Sequence, residues 1–267
     1  MAGKIALQLY TVRDLITNRS GLERALEKIK AIGYDGVQFS GVGAVEGEKP
    51  DTSPAEARKL LDANGLKCMG AHRRWSALMN ETDAEIEYLT TLGCDFVAVP
   101  AFGDEYDRFD PAAYVRFLDD AAPVGERLRS AGIDLGYHNH AHEFVHPSIG
   151  ADSPFDVLVE RGGKDLLMEI DVYWVAFAGA NPAAVIRRVK GRIPFIHMKD
   201  MEMIREEGSS SAKPVYAPVG EGNLDWDSII PAAQTAGTRV WIVEQDLCRR
   251  DHFDCARSSH DFLRARV

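Results

Sequence analysis

The sequence predicts a (β/α)8 TIM barrel, formed by a single domain over residues 1–267. Its length of 267 residues suits one large α/β barrel. Short apolar runs alternate with amphipathic helical patterns eight times, and no break in composition separates the repeats. The alternative is an open doubly wound sheet. That fold needs a glycine-rich phosphate loop after the first strand, and the segment there, QLYTVRD, contains no glycine.

The predicted strands are eight mostly apolar runs of four or five residues. This length and composition are typical of strands that are buried on both faces of a parallel sheet. The eight runs are Ile5–Leu9, Gly36–Phe39, Lys67–Ala71, Phe96–Val99, Asp134–His138, Leu166–Ile170, Pro194–His197 and Val240–Glu244.

The predicted helices lie between these runs and begin or end at typical capping residues. Gly33 ends the first pattern, Ser53 and Pro54 open the second as N-cap and first residue, and Thr82 is the predicted cap of the third. The helices run from Leu22 to Ile32, Pro54 to about Asn64, Thr82 to Leu92, Pro111 to about Ala131, Phe155 to Arg161, Asn181 to Val189, Trp226 to Ala236, and about Arg250 to the C-terminus. After the seventh strand, Glu206–Pro214 has the composition of a flexible loop or lid.

Composition and charge argue against several functional classes. The chain is 45% hydrophobic and 27% charged, as in ordinary soluble globular proteins. A net charge of −10 offers no basic surface for a nucleic acid. The four cysteines form no CxxC pair, which argues against a disulfide framework and a cysteine zinc site. No apolar run is long enough for a signal peptide or a membrane span. We therefore expect a reduced, cytoplasmic protein with no nucleic-acid or membrane partner.

Side chains that can bind a metal follow the last four predicted strands. Asp171, His197 and Glu244 follow strands six, seven and eight, and strand five ends in a histidine-rich stretch. The active site of such a barrel lies at these strand ends, and neighbouring strands are only ~5 Å apart. Carboxylates mixed with imidazoles suit Mn, Mg, Zn or Fe(II). The sequence therefore predicts one shared divalent ion.

Each of these residues also has a structural alternative. Asp171 could cap the turn that follows it, and His197 could be a hydrogen-bonded core histidine. Glu244 follows the apolar run VWIV, where a carboxylate is costly to bury without a partner. Their matched positions at three strand ends favour a shared metal over three separate structural roles.

Other polar and aromatic side chains near the strand ends are candidates for substrate contacts. His72 and Arg73 could contact an anionic or polyhydroxylated substrate, or form a solvated basic loop. Lys199 shares a face with the residue two before it, and its alternative role is an ion pair with an acid. Trp174 could form an apolar wall for a sugar, or pack in the core. The predicted substrate-binding residues are Gln8, Tyr10, His72, Arg73, Lys199 and Trp174.

With these residues placed, the sequence resembles the xylose isomerase-like sugar phosphate isomerase/epimerase superfamily, whose barrels include inosose dehydratase, hydroxypyruvate isomerase, D-tagatose 3-epimerase and the family-2 apurinic endonucleases. The resemblance runs nearly end to end. It rests on LQLYTVRD (7–14), GYDGVQ (33–38), GAH (70–72), YHNHAHEF (137–144), EIDVYW (169–174), HMKD (197–200), GEGNLDW (220–226) and VEQD (243–246).

The resemblance implies one divalent ion (Mn, Mg, Zn, Fe or Co, with Mn favoured) and four ligands. Asp171, His197 and Glu244 match the last three family ligands. Many relatives have a glutamate at the end of strand five, where this chain has His138-Asn139-His140. Either His138 takes that place, or Glu143 folds back to supply a carboxylate. Glu143 is preferred on charge, and His138 and His140 then support the ligands or act as acid and base.

The resemblance also implies a metal-dependent isomerase or epimerase that removes a proton next to the carbonyl of a sugar or polyol. The catalytic candidates are Glu143, Glu244, His138 and His140. A lyase or dehydratase acting on a keto-inositol or 3-keto-glycoside is the alternative on the same site. A metal-dependent abasic-site endonuclease is disfavoured by the net charge of −10. A non-catalytic sugar-binding subunit is a further alternative. Dimers and tetramers are frequent among the relatives, so a homo-oligomer is compatible with the resemblance.

Overall fold

The protein folds into a closed barrel of eight parallel strands, and a separate hairpin interrupts the seventh repeat. The computed structural model describes residues 3–103 and 106–267. Its strands are β1 (Lys4–Gln8), β2 (Gly36–Phe39), β3 (Lys67–His72), β4 (Phe96–Val99), β5 (Asp134–His138), β6 (Leu167–Asp171), β7 (Phe195–Met198), β8 (Asp200–Ile204), β9 (Lys213–Ala217) and β10 (Val240–Val243). The order around the barrel is β1-β10-β7-β6-β5-β4-β3-β2. The predicted TIM barrel is confirmed, and each predicted strand lies within one residue of its observed bounds.

Helices connect the strands and surround the barrel. They are α1 (Arg19–Ile32), α2 (Gly43–Glu46), α3 (Pro54–Ala63), α4 (Trp75–Asn80), α5 (Thr82–Leu92), α6 (Pro111–Ser130), α7 (Pro154–Arg161), α8 (Val172–Phe177), α9 (Pro182–Arg188), α10 (Trp226–Ala236) and α11 (His252–Arg264). All the predicted helices are present. The helices α2, α4 and α8 were not predicted, because fewer than two turns give too little periodicity to detect.

Two predicted caps have different outcomes in the structure. Ser53 caps α3 and Pro54 is the first helical residue, both as predicted; the structure adds a capping box between Ser53 and Glu56. The prediction that Thr82 caps α5 is wrong, because Thr82 is already the first residue of that helix. Its hydroxyl donates instead to the Leu78 carbonyl at 2.8 Å, since α4 leads almost directly into α5.

The segment Glu206–Pro214 is not simply a loop or lid. It forms the turn and the first residues of the second strand in an antiparallel hairpin, in which β8 pairs with β9. Residues on both sides of this polar turn pair in register, from Ile204 with Lys213 to Asp200 with Ala217. The sequence did not reveal these strands because each is short and lies next to a strongly polar turn.

The barrel interior changes character along its axis. Its lower half is a small apolar cluster in which the rings of Phe96 and Phe195 stack at 3.9 Å between centroids, beside Val240 and Ile242. Gly136 is required here, because a Cβ atom on it would lie 2.6 Å from the Phe96 ring. The next inward residues toward the C-terminal ends of the strands are polar. The barrel therefore places a polar site above an apolar base.

No helix in the described part of the chain combines the length and the apolar composition that crossing a bilayer requires. The predicted cytoplasmic location and the predicted absence of a nucleic-acid partner stay predictions.

Candidate active site

Three neighbouring strands bring Asp171, His197 and Glu244 together at the C-terminal end of the barrel. Asp171 is the last residue of β6, His197 lies in β7, and Glu244 directly follows β10. One possible ligand atom from each lies within 4.8 Å of those of the other two, and all three side chains are buried. The structure thus brings together three of the four residues predicted as metal ligands.

Asp171 has the capping role that the sequence left open, and its second oxygen faces the site. Its Oδ1 accepts the backbone N–H groups of Tyr173 and Trp174 at 2.9 and 3.3 Å and so caps α8. Its Oδ2 faces the site, 3.0 Å from Lys199 Nζ but without hydrogen-bond geometry. Burial raises the pKa of Asp171 to about 6, despite the opposing charge of Lys199. The cap therefore orients the carboxylate and directs its Oδ2 toward Lys199 and the site.

His197 lies between two carboxylates. Its Nδ1 is 2.9 Å from Glu244 Oε2, and its Nε2 is 3.3 Å from Glu169 Oε2 and 2.7 Å from Gln38 Oε1. Burial acts to lower the pKa of His197, but Glu169 and Glu244 outweigh it and raise the pKa to about 10. Without a metal, the two carboxylates therefore favour the protonated form of His197.

Lys199 provides a second buried cation in the same place. It directly follows β7, and its Nζ lies 3.0 Å from Asp171 Oδ2, 2.8 Å from Glu244 Oε2 and 2.8 Å from Asp246 Oδ2. Burial lowers the pKa of Lys199, but these carboxylates raise it well above its ordinary value. Burial likewise raises the pKa of Glu244, but Lys199 and His197 hold it well below its ordinary value. The prediction that Lys199 faces the site agrees with this geometry, as does its predicted alternative of an ion pair.

Glu169, which the sequence analysis did not select as a site residue, contacts several polar side chains of the barrel interior. Its Oε2 lies 2.5 Å from His72 Nε2 and 3.1 Å from His138 Nδ1, and its Oε1 accepts the Gln38 amide at 2.6 Å. Burial opposes ionisation, but His197 and His72 hold the pKa of Glu169 well below its ordinary value. The sequence did contain an indication of this role. Glu169 lies two residues before Asp171 in an apolar strand, and this spacing puts both side chains on the same inward face.

The structure bears directly on the residue at the end of strand five. His138 faces the interior, with its Nε2 3.8 Å from Asp171 Oδ2 and its ring centroid 4.5 Å from that of His197. Burial, followed by the nearby charge of His197, lowers the pKa of His138 well below its ordinary value. His138, and not Glu143, therefore adjoins Asp171 and His197.

Glu143 lies in a different cluster. Its Oε1 accepts the Tyr137 hydroxyl at 2.8 Å, and its Oε2 accepts the His140 backbone N–H at 2.8 Å. Its possible partners for a metal are His140 and His142, not the three residues from β6, β7 and β10. The preferred prediction, in which Glu143 folds back to complete the first ligand set, is corrected, because these hydrogen bonds hold its carboxylate beside the β5 loop.

The predicted substrate-binding residues divide into two groups. Gln8 and His72 line the polar interior, where the Gln8 amide donates to Gln38 Oε1 at 2.8 Å. Arg73 differs, because its guanidinium binds Glu85 through two contacts of 2.6 and 2.7 Å and Glu46 through one of 2.7 Å. The structure thus places Arg73 in an ion-pair network and not in a free anion-binding position.

Aromatic rings cover one side of the mouth. Lys199 Nζ lies 5.6 Å from the Trp174 ring and 5.9 Å from that of Tyr216, which belongs to β9. The buried Trp174 indole N–H has no hydrogen-bond partner among the described residues. On the β1 side of the mouth, the Arg13 guanidinium lies over the Tyr10 ring, with the Arg13 Cζ atom 4.1 Å from the centroid of that ring. Tyr216 was not predicted, because it comes from the unpredicted hairpin.

The donor chemistry of this mouth fits a divalent cation. Three buried carboxylates, Glu169, Asp171 and Glu244, and the partly exposed Asp246 lie here among four basic side chains, Lys199, His197, His72 and His138. Burying several carboxylates together is costly unless cations pair with them, and a divalent ion would supply further positive charge. Two carboxylates and one imidazole form a donor set that suits Mn²⁺, Mg²⁺, Zn²⁺ or Fe²⁺.

Sequence comparisons identify relatives along most of the chain. The family model described as xylose isomerase-like TIM barrel matches residues 26–266. The rhizopine catabolism protein MocC of Rhizobium meliloti is 26% identical, over 98% of this chain and 88% of its own length. An inosose dehydratase of Lacticaseibacillus casei is 22% identical, over 91% of this chain and 89% of its own length.

Solved structures share the fold at lower identity. A sugar phosphate isomerase/epimerase from Parabacteroides distasonis is 20% identical, with a TM-score of 0.75 over 99% of this chain and 95% of its own. The IOLI protein, whose crystal structure holds a zinc atom, is 15% identical, with a TM-score of 0.72 over 99% of both chains. At these identities the likeness shows a common fold.

Proposed function

The chain belongs to the xylose isomerase-like TIM barrel family, and from that premise we propose that it is a divalent-metal-dependent isomerase or epimerase. It removes a proton next to the carbonyl of a small sugar or keto-polyol. The proposal rests on one observation, the convergence of Asp171, His197 and Glu244 from three adjacent strands within 4.8 Å. We call these three residues the first centre.

The first centre would hold the metal ion, for which manganese is the favoured candidate. An ion held by these residues would supply positive charge to polarise a substrate carbonyl and to stabilise the negative charge that develops as the neighbouring C–H bond breaks. Asp171 is fixed for this role by its cap on α8, and its backbone N–H donates to the Asn139 amide oxygen at 3.0 Å. The zinc atom in the IOLI structure supports metal binding in this fold.

His138 is the proposed base. We assign its Nδ1–H as the donor to Glu169 Oε2 at 3.1 Å, which leaves the Nε2 lone pair directed toward Asp171. Since burial lowers the pKa of His138, its imidazole is neutral and can accept a proton at neutral pH. Glu169 is therefore a positioning residue that fixes the tautomer and the orientation of the base.

Glu244 is the proposed second proton carrier. It follows β10, three strands from β5 around the barrel, so it approaches a bound substrate from a different side than His138 does. Lys199 contacts Glu244 Oε2 at 2.8 Å and keeps the carboxylate ionised. Two carriers on different sides suit an enzyme that removes a proton at one position and returns it at another position or face.

A dehydratase acting on a keto-polyol is the second candidate. The supporting observation is that an inosose dehydratase matches 91% of this chain. Both reactions begin with removal of a proton next to a carbonyl. They diverge afterwards, because a dehydratase expels a hydroxide from the neighbouring carbon, whereas an isomerase or epimerase returns the proton.

Hydrogen exchange in D₂O tests the shared first step. The Mn²⁺-loaded protein is incubated with a panel of ketoses and inososes, and ¹H NMR follows loss of the signal next to the carbonyl. A deuterated isomer or epimer supports the first candidate, and a product that has lost water supports the second. If no compound in the panel exchanges at an enzyme-dependent rate, the proposed proton abstraction is wrong.

Matched variants connect this exchange to the first centre. Asp171→Asn should lower the exchange rate by at least ~10²-fold, because it removes a charged group that the reaction depends on. Asp119→Asn makes the same substitution at an exposed position on α6 and should leave the rate unchanged. Equal rates in both variants would remove Asp171 from the mechanism.

A further inference from the structure

Three side chains after β5 form a compact group that the proposed reaction does not use. His140, His142 and Glu143 lie within four residues of sequence, and the 3₁₀ turn His142–Phe144 brings the last two together. One ring nitrogen from each histidine and a Glu143 oxygen all lie within 4.8 Å of one another. This is the spacing of side chains that share one metal ion.

The Glu143 carboxylate is fully buried and held in place. The Tyr137 hydroxyl donates to its Oε1 and the His140 backbone N–H donates to its Oε2, each at 2.8 Å. Among the described residues its only ion-pair contact is with His142, so no lysine or arginine neutralises it. A buried carboxylate without a permanent counter-charge is costly, and a bound cation would remove that cost.

Each of the two histidines has a buried ring nitrogen without a hydrogen bond among the described residues. His140 Nδ1 is buried and has no hydrogen-bond partner among the described residues. His142 Nε2 lies 3.1 Å from Glu143 Oε1 but lacks hydrogen-bond geometry. Two ligands of one zinc ion at bond lengths of ~2.1 Å are separated by roughly 3.4 Å in a tetrahedron, close to this contact. The arrangement therefore resembles ligands around an ion more than a hydrogen-bonded network.

We propose that His140, His142 and Glu143 bind a second divalent transition-metal ion, separate from the ion at the first centre. Two imidazoles and one carboxylate favour zinc over magnesium. Three protein ligands leave a fourth position for water or a substrate oxygen, as in catalytic zinc sites. The His140 ring lies 5.0 Å from that of His138 and 5.5 Å from that of Trp174, so this second centre borders the mouth of the barrel.

In the test, metal-free protein is equilibrated with excess Zn²⁺ and then dialysed to remove unbound metal. The number of zinc ions that remain bound per chain is then measured. The wild-type chain should retain about two ions by elemental analysis. His142→Gln should retain about one, and so should Glu244→Gln, because each removes a ligand from a different centre. With Co²⁺ in place of Zn²⁺, each bound ion should absorb visible light. The absorption bands that disappear in His142→Gln should lie at different wavelengths from those that disappear in Glu244→Gln.

Controls separate ligand loss from misfolding. His146→Gln changes an exposed histidine of the same loop, whose Nδ1 contacts the Ala151 carbonyl, and should leave the ion count unchanged. His140→Gln is the second variant if His142→Gln does not fold, as judged by circular dichroism.

The outcomes distinguish the second centre from the first. One wild-type ion that is lost in Glu244→Gln and retained in His142→Gln and His140→Gln would overturn the second centre and leave the proposed function intact. The reverse pattern would support the second centre and count against the first. A wild-type protein that retains no ion would overturn both.

Discussion

In β6, Leu167 faces the lower half of the barrel interior, whereas Glu169 faces the upper half, and β7 repeats the pattern with Phe195 and His197. The side chains of the lower half pack against one another without charge. Those of the upper half are buried carboxylates, imidazoles and an ammonium, which lose hydration on folding and regain only part of it by pairing. The lower half thus contributes stability, whereas bringing the charged groups of the upper half together costs some of it.

The largest effect should come from the lower half. Phe96→Ala removes a ring that stacks on Phe195 at 3.9 Å, so the free energy of unfolding should fall by ~3–5 kcal/mol in urea denaturation. Phe109→Ala, at an exposed ring, should cost less than ~0.5 kcal/mol. A comparable cost for the two variants would remove the distinction between the packed base and the loops.

The next effect should come from the upper half and should change activity more than stability. Glu244→Gln should lower turnover by ~10²–10³-fold, because the charge that contacts His197 and Lys199 is lost. Its free energy of unfolding should change less than that of Phe96→Ala. Glu126→Gln, exposed on α6, is the matched control. A fully active Glu244→Gln enzyme would contradict the division of roles between the halves.

In the metal-free protein, the change of the free energy of unfolding with pH should report the protonation of groups in the upper half. His197 binds its proton more tightly in the folded chain, with a pKa of about 10 against 6.5 for the unperturbed group. Its stabilising contribution is therefore complete below the lower value and is lost as pH rises toward the higher one. Between about pH 7 and about pH 9 the loss should be at least ~1 kcal/mol. His197→Gln should show a shallower decline, and an identical decline would assign the effect to other groups.

The smallest effect should come from outside the barrel. Ser53→Ala removes one half of the capping box of α3 and should lower the free energy of unfolding by ~1 kcal/mol, with no change in turnover. Ser148→Ala, at an exposed loop position, should be neutral. If Ser53→Ala lowered turnover substantially, the outer helices and the upper half would be energetically coupled.

The sequence indicated which side chains would lie close together where the strand ends determine their position. Asp171, His197 and Glu244 each stand at or beside the end of a strand, and parallel strands bring their ends to one edge. The choice between His138 and Glu143 could not be made in the same way. It depends on how the loop after β5 turns, and the structure shows that the Tyr137 hydroxyl and the His140 backbone hold Glu143 in that loop.

Glu169 shows a different limit. Its inward direction was implied by the two-residue period of β6, but its partners His72, His138 and Gln38 come from three other strands. Contacts across a barrel depend on shear and register, which no local pattern records. The hairpin of β8 and β9 was missed for a related reason, since its strands are defined by pairing with each other.

The sequence alone determined the barrel, the positions of its strands and most of its helices, and three acidic or imidazole side chains at one edge. These follow from periodicity and caps, which act between residues that are near in sequence. Only the tertiary structure decided that Lys199 lies among the carboxylates, that Glu169 contacts three imidazoles, and that Glu143 belongs to a separate cluster. Those relations depend on which side chains the closed sheet brings within a few ångströms, a distance that separation along the chain does not determine.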